Sequence, residues 1–187
     1  GAGKDTVDYS GSIDPAAPGT QGVEIFLDGT ASHGGKAEGD VLANIESVIG
    51  SDRDDRLHGG ATAETLQGGS GDDRLHGSAG ADTLEGGSGQ DQITAGAGSD
   101  YLDGQDGDDA LWGGEGDDHA QGGDGADVLA GGEGDDSLWG DQGDDDLFGG
   151  TGDDVLAGCE GNDSLDAGDG ADSAMGGDGD DTLHGGA

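Results

Sequence analysis

The 187-residue chain has few cysteines, prolines, aromatic residues and basic residues, and each shortage excludes a class of protein. Its only cysteine, Cys159, has no partner for an internal disulfide, so a disulfide-stapled domain is excluded. The 47 glycines are accompanied by only two prolines and lack the three-residue period of collagen. Five Lys and Arg residues stand against 44 Asp and Glu residues, for a net charge of −39. Nucleic acids and anionic membrane surfaces are therefore poor partners.

The chain also lacks long apolar segments. No run approaches the roughly 20 residues of a membrane span, and no amino-terminal signal peptide is recognisable. Hydrophobic residues make up 29% of the chain, and with this net charge the composition alone is typical of a disordered protein. We expect that disorder to hold only while no bound cation neutralises the acidic charge.

A nine-residue repeat is the dominant pattern of the sequence. Its frame is Gly-Gly-x-Gly-x-Asp-x-Leu-x, numbered here as positions 1 to 9, and Gly131–Trp139 is one copy. The frame continues without insertion or deletion over residues 50–184. Position 8 is Leu or Ile in thirteen of fifteen units and Ala in the other two, Ala120 and Ala174. Position 6 is Asp in fourteen of fifteen units and Glu64 in the remaining one, which excludes a chance pattern.

Each unit predicts a short strand joined to a chain reversal. Three residues such as Ser137-Leu138-Trp139 form a minimal strand, whose middle side chain points to one face. The six residues before them carry three glycines and an acid, which are typical of turns. Two reversals restore the chain direction, so eighteen residues make one coil with two strands. Stacked coils then form an all-β parallel β-roll, a β-solenoid with two facing sheets, and right-handed winding is the default for such crossovers.

In such a roll each turn lies over the turn two units later, so that Asp118 lies beside Asp136 and Asp136 beside Asp154. Carboxylates stacked at a strand spacing of roughly 4.8 Å repel one another unless a cation lies between them. Glycine-rich turns also leave carbonyl oxygens free to point inward. Such hard oxygen ligands suit Ca²⁺ better than Zn²⁺ or copper. The sequence therefore predicts multiple calcium ions, about one for each stacked pair of turns.

The repeat resembles the glycine-rich nonapeptide of RTX proteins, the hemolysin-type calcium-binding family of secreted bacterial toxins, proteases, lipases and epimerases. The resemblance implies a calcium-binding parallel β-roll, an extracellular location and export by type I secretion. It implies side-chain ligands at position 6, which are Asp73, Asp82, Asp91, Asp100, Asp109, Asp118, Asp127, Asp136, Asp145, Asp154, Asp163, Asp172 and Asp181. It implies carbonyl ligands at position 4, which are Gly71, Gly89, Gly107, Gly116, Gly125, Gly134, Gly143, Gly152, Gly161, Gly170 and Gly179.

The pattern changes at residue 50. We interpret residues 1–49 as the clipped end of an earlier repeat block, a linker and a short β-containing amino-terminal cap, and residues 50–187 as the calcium-binding roll. Residues 23–28 are predicted to form a strand. Residues 40–49 hold the densest apolar cluster, which we interpret as a cap over the first coil.

The first units of the roll depart from the frame. Arg53 and Thr62 replace the position-4 glycine, and Glu64 replaces the position-6 Asp. We therefore expect weaker or absent calcium sites near Asp55 and Glu64.

Two features lie on the outward positions 7 and 9. His58 and His76 are one coil apart, but two ligands make a weak transition-metal site, and solvated surface histidines are the simpler interpretation. An apolar group on one outer face is either a contact with another domain or subunit, or a set of scattered surface residues. Its members are Ala110, Trp112, Val128, Ala130 and Phe148.

The sequence holds no zinc-protease motif, no nucleophile elbow and no phosphate loop. Acidic pairs such as Asp135-Asp136 recur in turn after turn, whereas catalytic carboxylate pairs are singular. We predict a calcium-binding module without catalytic activity that folds on binding extracellular calcium.

Its partners would be calcium ions and flanking domains of the same parent chain. Two alternatives stay open: the non-catalytic part of a secreted protease, lipase or polysaccharide epimerase, and a spacer or adhesive segment of a giant surface protein.

Overall fold

The computed structural model describes residues 4–11, 22–29, 31–33, 37, 41–42 and 44–187. These residues form eighteen strands, most of them six residues long. The strands are β1 (Thr6–Asp8), β2 (Glu24–Phe26), β3 (Ser47–Ile49), β4 (Arg56–His58), β5 (Thr65–Ser70), β6 (Arg74–Ala79), β7 (Thr83–Ser88), β8 (Gln92–Ala97), β9 (Tyr101–Asp106), β10 (Ala110–Glu115), β11 (His119–Asp124), β12 (Val128–Glu133), β13 (Ser137–Gln142), β14 (Asp146–Thr151), β15 (Val155–Glu160), β16 (Ser164–Asp169), β17 (Ser173–Asp178) and β18 (Thr182–His184).

Successive strands alternate between two parallel sheets of nine strands each. The odd-numbered strands form sheet A in chain order, and the even-numbered strands form sheet B in the same way. In sheet B, Leu111 of β10 pairs with Leu129 of β12. In sheet A, Ala120 of β11 pairs with Leu138 of β13. From β3 onward, each paired residue thus lies beside the residue eighteen positions later, which confirms the predicted parallel roll with two units per coil.

The core is a double ladder of position-8 side chains. Twelve of them, with solvent exposures of at most 2%, are Leu57, Leu66, Leu75, Leu84, Ile93, Leu102, Leu111, Leu129, Leu138, Leu147, Leu156 and Leu165. Ala120 is also buried, at 1%. Each buried Leu or Ile contributes about 1.5–3 kcal/mol through the hydrophobic effect. At the carboxyl-terminal end Leu183 is 47% exposed, because β18 is the last strand of sheet B.

Strands β5 to β17 are six residues long rather than the three predicted from the sequence, and for these strands the prediction was wrong. Strand β13 continues from Leu138 through the glycine-rich positions to Gln142. Pairing between β10 and β12 resumes beyond position 1, where Gly114 lies beside Gly132. Gly132 has a φ of 122°, which bends the strand without ending it. Only positions 4 to 6 are left to reverse the chain.

Side chains at position 2 do not break the coil. Ser78, Gln105, Asp141 and Cys159 stand where other units have glycine, and they keep the left-handed conformation, with φ between 73° and 89°. This conformation costs an L-residue roughly 1–2 kcal/mol. The left-handed conformation at position 2 is therefore imposed by the coils before and after it, because their strands fix the path of the chain.

The amino-terminal part extends both sheets. Val7 of β1 pairs with Val48 of β3, and Ile25 of β2 pairs with Leu57 of β4. The strand predicted over residues 23–28 forms at Glu24–Phe26. Of the predicted cap over residues 40–49, residues 40 and 43 lie outside the described part. Ser47–Ile49 adds a further strand to sheet A rather than lying across its end.

Across the described residues, helices of the length and apolarity needed to cross a bilayer do not occur.

Candidate metal centre

The turns at positions 4 to 6 stack into two columns, one along each edge of the roll. One column precedes the strands of sheet B, and the other precedes the strands of sheet A. Within a column, successive turns are joined through their acidic residues. The backbone N–H of Asp118 donates to Oδ1 of Asp136 over 2.8 Å. Asp136 therefore lies beside Asp118, as the sequence predicts.

The predicted position-6 ligands lie inside these columns. Eleven of the thirteen, from Asp73 to Asp163, are at most 4% exposed, and Asp172 and Asp181 near the end of the roll are half-buried. In all thirteen, Oδ1 accepts a hydrogen bond of 2.7–3.0 Å from the backbone N–H of the position-6 residue one coil earlier. This bond fixes the orientation of each carboxylate.

The second carboxylate oxygen is buried and has no hydrogen-bond partner in twelve of these residues. They are Asp73, Asp82, Asp91, Asp100, Asp109, Asp118, Asp127, Asp136, Asp145, Asp154, Asp163 and Asp172. Buried polar atoms are almost always hydrogen-bonded, and an unpaired buried carboxylate is costly. Twelve equivalent unpaired oxygens in one chain are therefore suited to binding cations.

Carbonyl oxygens of the predicted position-4 glycines are available in the same columns. A Cβ atom on Gly134 would meet the carbonyl oxygen of Gly116, so this carbonyl points along the column toward the next turn. None of the described backbone hydrogen bonds ends on the carbonyl oxygen of Gly116, Gly125 or Gly134. These three turns thus each offer an unpaired carbonyl oxygen together with the unpaired carboxylate oxygen of Asp118, Asp127 or Asp136.

The glycine at position 1 keeps space open beside the carboxylate. A Cβ atom on Gly113 would meet Asp118 Oδ2 and would lie 2.7 Å from the carbonyl oxygen of Gly131. The small space at this point is therefore bounded by a side-chain oxygen and a backbone oxygen. Ala95 and Ala167 carry a methyl group at the equivalent position of their units.

Burial raises the pKa values of these carboxyl groups, and neighbouring carboxylates add to the effect. The pKa is raised to about 8 for Asp73, to about 7 for Asp127 and Asp136, and to about 6 for Asp118 and Asp145. The backbone N–H bond to each carboxylate opposes the rise but does not cancel it. Without a cation, the carboxyl groups with a pKa of about 7 or 8 are therefore only partly ionised at neutral pH.

The first two units differ, because the protein itself satisfies their carboxylates. Asp55 Oδ1 accepts from the backbone N–H of Val23 at 2.6 Å, and Oδ2 accepts from the backbone N–H of Ser51. Glu64 accepts from the Thr62 hydroxyl at 2.6 Å and from the Gly60 N–H at 3.3 Å. These contacts support the expectation of weaker calcium sites at this end.

Sequence reasoning missed a role for position 5. Asp117 Oδ1 accepts from the backbone N–H of Asp135 at 3.0 Å, one coil later, while Asp136 Oδ1 accepts from Asp118, one coil earlier. The gap between these two turns is therefore bridged by two carboxylates in opposite directions. Asp or Asn occupies position 5 in nine of fifteen units, and this enrichment was the signal available in the sequence.

The donor set fits calcium better than a transition metal. Within the described ranges, no three His, Cys, Asp or Glu side chains are grouped so that they could share a metal ion. A cation in a turn column would therefore depend on backbone carbonyls as well as carboxylates, which is the ligand set of Ca²⁺. His58 and His76 have ring centroids 6.2 Å apart, and no third His, Cys, Asp or Glu side chain is grouped with them among the described residues.

Comparison with known proteins agrees with this geometry. The RTX calcium-binding nonapeptide repeat matches residues 43–65, 49–84, 58–93, 85–120, 121–156 and 158–187, and these overlapping matches cover most of the chain. A search of curated proteins returned no significant match. Calcium binding is implied by the repeats, and a roll built only of such repeats is a non-catalytic fold. The chain belongs to the RTX family of calcium-binding nonapeptide repeats.

Proposed function

We propose that this chain is the calcium-responsive folding module of a secreted protein. It is unfolded where calcium is scarce and folds into the roll in extracellular calcium. The observation that carries the proposal is the set of twelve buried, unpaired Oδ2 atoms in the turn columns. Their burial is unfavourable without a cation, so metal binding and folding should occur as one event.

The position-6 carboxylates from Asp73 to Asp181 would supply the side-chain ligands, and the position-4 glycines from Gly71 to Gly179 would supply carbonyl oxygens. When bound, calcium neutralises the stacked carboxylates and joins successive coils. Fifteen turns in columns of eight and seven contain seven and six gaps, which gives about 13 ions at one per gap. About 26 positive charges would reduce the net charge from −39 to about −13.

The proposed export route follows from the coupling of calcium binding to folding. A chain that stays unfolded in calcium-poor cytoplasm is suited to type I secretion, and millimolar extracellular calcium matches the weak sites expected of extracellular modules. The roll would then stabilise flanking domains of the same parent chain after export.

The test is a calcium titration followed by far-ultraviolet circular dichroism, with magnesium at equal ionic strength as the control. We expect a coil spectrum in chelator, a cooperative change to a strand spectrum in calcium, and no comparable change in magnesium. Isothermal titration calorimetry then counts the ions. A strand spectrum in chelator at neutral pH would contradict the proposal and would favour a rigid spacer.

A further inference from the structure

The outer face of sheet B differs in charge from the rest of the molecule. We call this face the sheet B wall and define it as the position-7 and position-9 residues of the even-numbered strands from β4 to β18. Its charged residues are Arg56, Arg74, Asp146 and Asp166, so with neutral histidines the wall has no net charge, in a chain of net charge −39. The same positions on sheet A, from β5 to β17, carry Glu85 and Asp103 and no Lys or Arg. The position-7 and position-9 surface of sheet B therefore carries less net acidic charge than that of sheet A, although exposed carboxylates lie at the ends of its central strands, at Glu115 of β10 and Glu133 of β12.

Two exposed aromatic side chains form a slot in the middle of the wall. Trp112 and Phe148 are 42% and 43% exposed. Each pairs in register with Ala130, which lies between them on β12. At about 4.8 Å per strand, the two aromatic side chains stand roughly 9.6 Å apart over a methyl-sized floor. The slot is wide enough to receive one large apolar side chain.

Trp139 on the opposite sheet shows what a covered aromatic residue looks like in this roll. Its ring lies 4.4 Å from the ring of His119, which in turn stacks 5.1 Å from Tyr101. Among the residues that the structure describes, Trp112 and Phe148 make no such ring contact, although Trp112 occupies the same frame position as Trp139. A solvated pair of large aromatic side chains beside an apolar floor is typical of a contact surface.

We propose that two copies of the calcium-loaded roll associate face to face through the sheet B wall, about a two-fold axis parallel to the strands and passing between β10 and β12. This rotation reverses the order of the strands and keeps their direction. It places β10 over β12 of the partner, so that Trp112 of each copy enters the slot above Ala130 of the other. Such an isologous contact closes on itself and needs no further subunit.

Under the same rotation, the other residues of the wall lie opposite residues of compatible size or charge in the second copy. Ala110 lies over a Val128, and Gln92 lies over an Asp146 of the other copy. His76 on β6 lies over Asp166 on β16, with Arg74 within reach of the same carboxylate. The alternative two-fold axis, along the roll, would instead place Arg56 over His58 and Arg74 over His76. Charge complementarity therefore selects the first arrangement.

The size of the wall fits a reversible dimer. Eight strands at about 4.8 Å give a length of roughly 38 Å, and a width of roughly 15 Å gives a total buried area of about 1,100 Å². This value lies just below the usual range of about 1,200–2,000 Å² for stable interfaces, so we expect a dissociation constant in the micromolar range. The turn-column carboxylates and the exposed Glu115 and Glu133 at the ends of β10 and β12 lie beside the wall, and salt screens their repulsion over about 8 Å.

The first test is sedimentation equilibrium in saturating calcium over a concentration series from about 1 to 500 µM, with circular dichroism showing that each sample is folded. We expect wild-type protein to dimerise and Trp112→Ser to raise the dissociation constant at least tenfold. Trp139→Ser, the matched control on sheet A, should dimerise like wild type. A folded wild-type monomer at every concentration, or equal weakening by both substitutions, would overturn the proposal. A chain that fails to fold in calcium would instead contradict the proposed function.

The second test concerns the direction of the axis. Arg74→Asp alone should weaken the dimer, because it places two carboxylates together at each end of the contact. The double variant Arg74→Asp, Asp166→Arg exchanges the charges, and we expect it to recover most of the wild-type affinity. Failure of the double variant to recover would contradict this arrangement of the two copies.

Discussion

The adjacent glycines Gly131 and Gly132 have different physical roles. Gly132 has a φ of 122°, a conformation that residues with a side chain rarely adopt. Gly131 does not have a positive φ, but a Cβ atom there would meet Asp136 Oδ2. The first glycine of the repeat therefore keeps space beside a carboxylate, whereas the second allows a backbone bend.

Gly131→Ala should destabilise the calcium-loaded roll. The added methyl group must displace the Asp136 carboxylate, and overpacking of this kind costs about 1–3 kcal/mol. Thermal unfolding at fixed calcium concentration measures the loss. Gly185→Ala is the control, because a Cβ atom there has no neighbour within 4 Å. Equal melting temperatures for the two variants would show that the space beside Asp136 is not needed.

Asp127→Ala should remove or weaken the ions shared with Asp109 and Asp145. Oδ1 of Asp127 holds the N–H of Asp109 at 2.7 Å, and its Oδ2 is one of the twelve unpaired oxygens. We expect one or two fewer bound ions by calorimetry, and about 1.5–3 kcal/mol less stability, which is typical for loss of a charged hydrogen-bond partner.

Glu133→Ala is the matched control for Asp127→Ala, since it removes one carboxylate from an exposed position of the adjacent strand. It should leave the calcium stoichiometry unchanged. Wild-type stoichiometry and stability in Asp127→Ala itself would count against the ligand assignment.

At the level of the element, the turn column is a stack of opposed carboxylates whose protonation is coupled to folding. The folded-state pKa values of about 6 to 8 lie above the ordinary Asp value of 3.8. A raised pKa means that the folded state favours the protonated carboxyl group. In the absence of calcium, this stabilising contribution is complete below about pH 4 and is lost as the pH rises through about 6 to 8.

Acid should therefore substitute in part for calcium. In chelator, we expect the strand signal in circular dichroism to increase as the pH is lowered from 8 to 5. In calcium, we expect the opposite trend in affinity over the same interval, because metal ligands must be deprotonated. A chelated chain with no change in spectrum between pH 8 and pH 4.5 would contradict the coupling. Asp127→Asn combined with Asp136→Asn should reduce the pH dependence without removing it.

At the level of the whole molecule, the roll is a one-dimensional array in which each coil contacts only its neighbours. Deletion of residues 122–139 removes one complete coil and joins position 9 of one unit to position 1 of another. We expect this variant to fold in calcium with about two fewer ions, because all remaining contacts keep their register. Circular dichroism and calorimetric ion counting measure both properties.

A shorter deletion, of residues 122–126, is the control. It removes fewer residues, but five is not a multiple of nine. The coils after the deletion are therefore out of register with the coils before it. We expect a large loss of stability or separate unfolding of the two halves in thermal melts. Equal stability of the two deletion variants would show that stacking does not depend on the frame.

The sequence by itself determined the architecture, because the nine-residue period leaves few other ways to bury position 8. Leu111 and Leu129 have to stack once eighteen residues make a coil, and Asp118 has to lie beside Asp136. The acidic turns and their preference for calcium follow from the same period. These conclusions were possible because every unit repeats the same pattern of apolar, acidic and glycine positions.

Only the tertiary structure decided which partners the carboxylate oxygens of each turn have. The Oδ1 and Oδ2 atoms of Asp136 have different roles because one faces the N–H of Asp118 and the other faces the space kept by Gly131. The reciprocal contact of Asp117 and the bend that lengthens β13 also depend on the neighbouring coil. The register of the sheets likewise decided that Trp139 is covered by His119 while Trp112 faces solvent. These properties arise between coils, and no single repeat contains them.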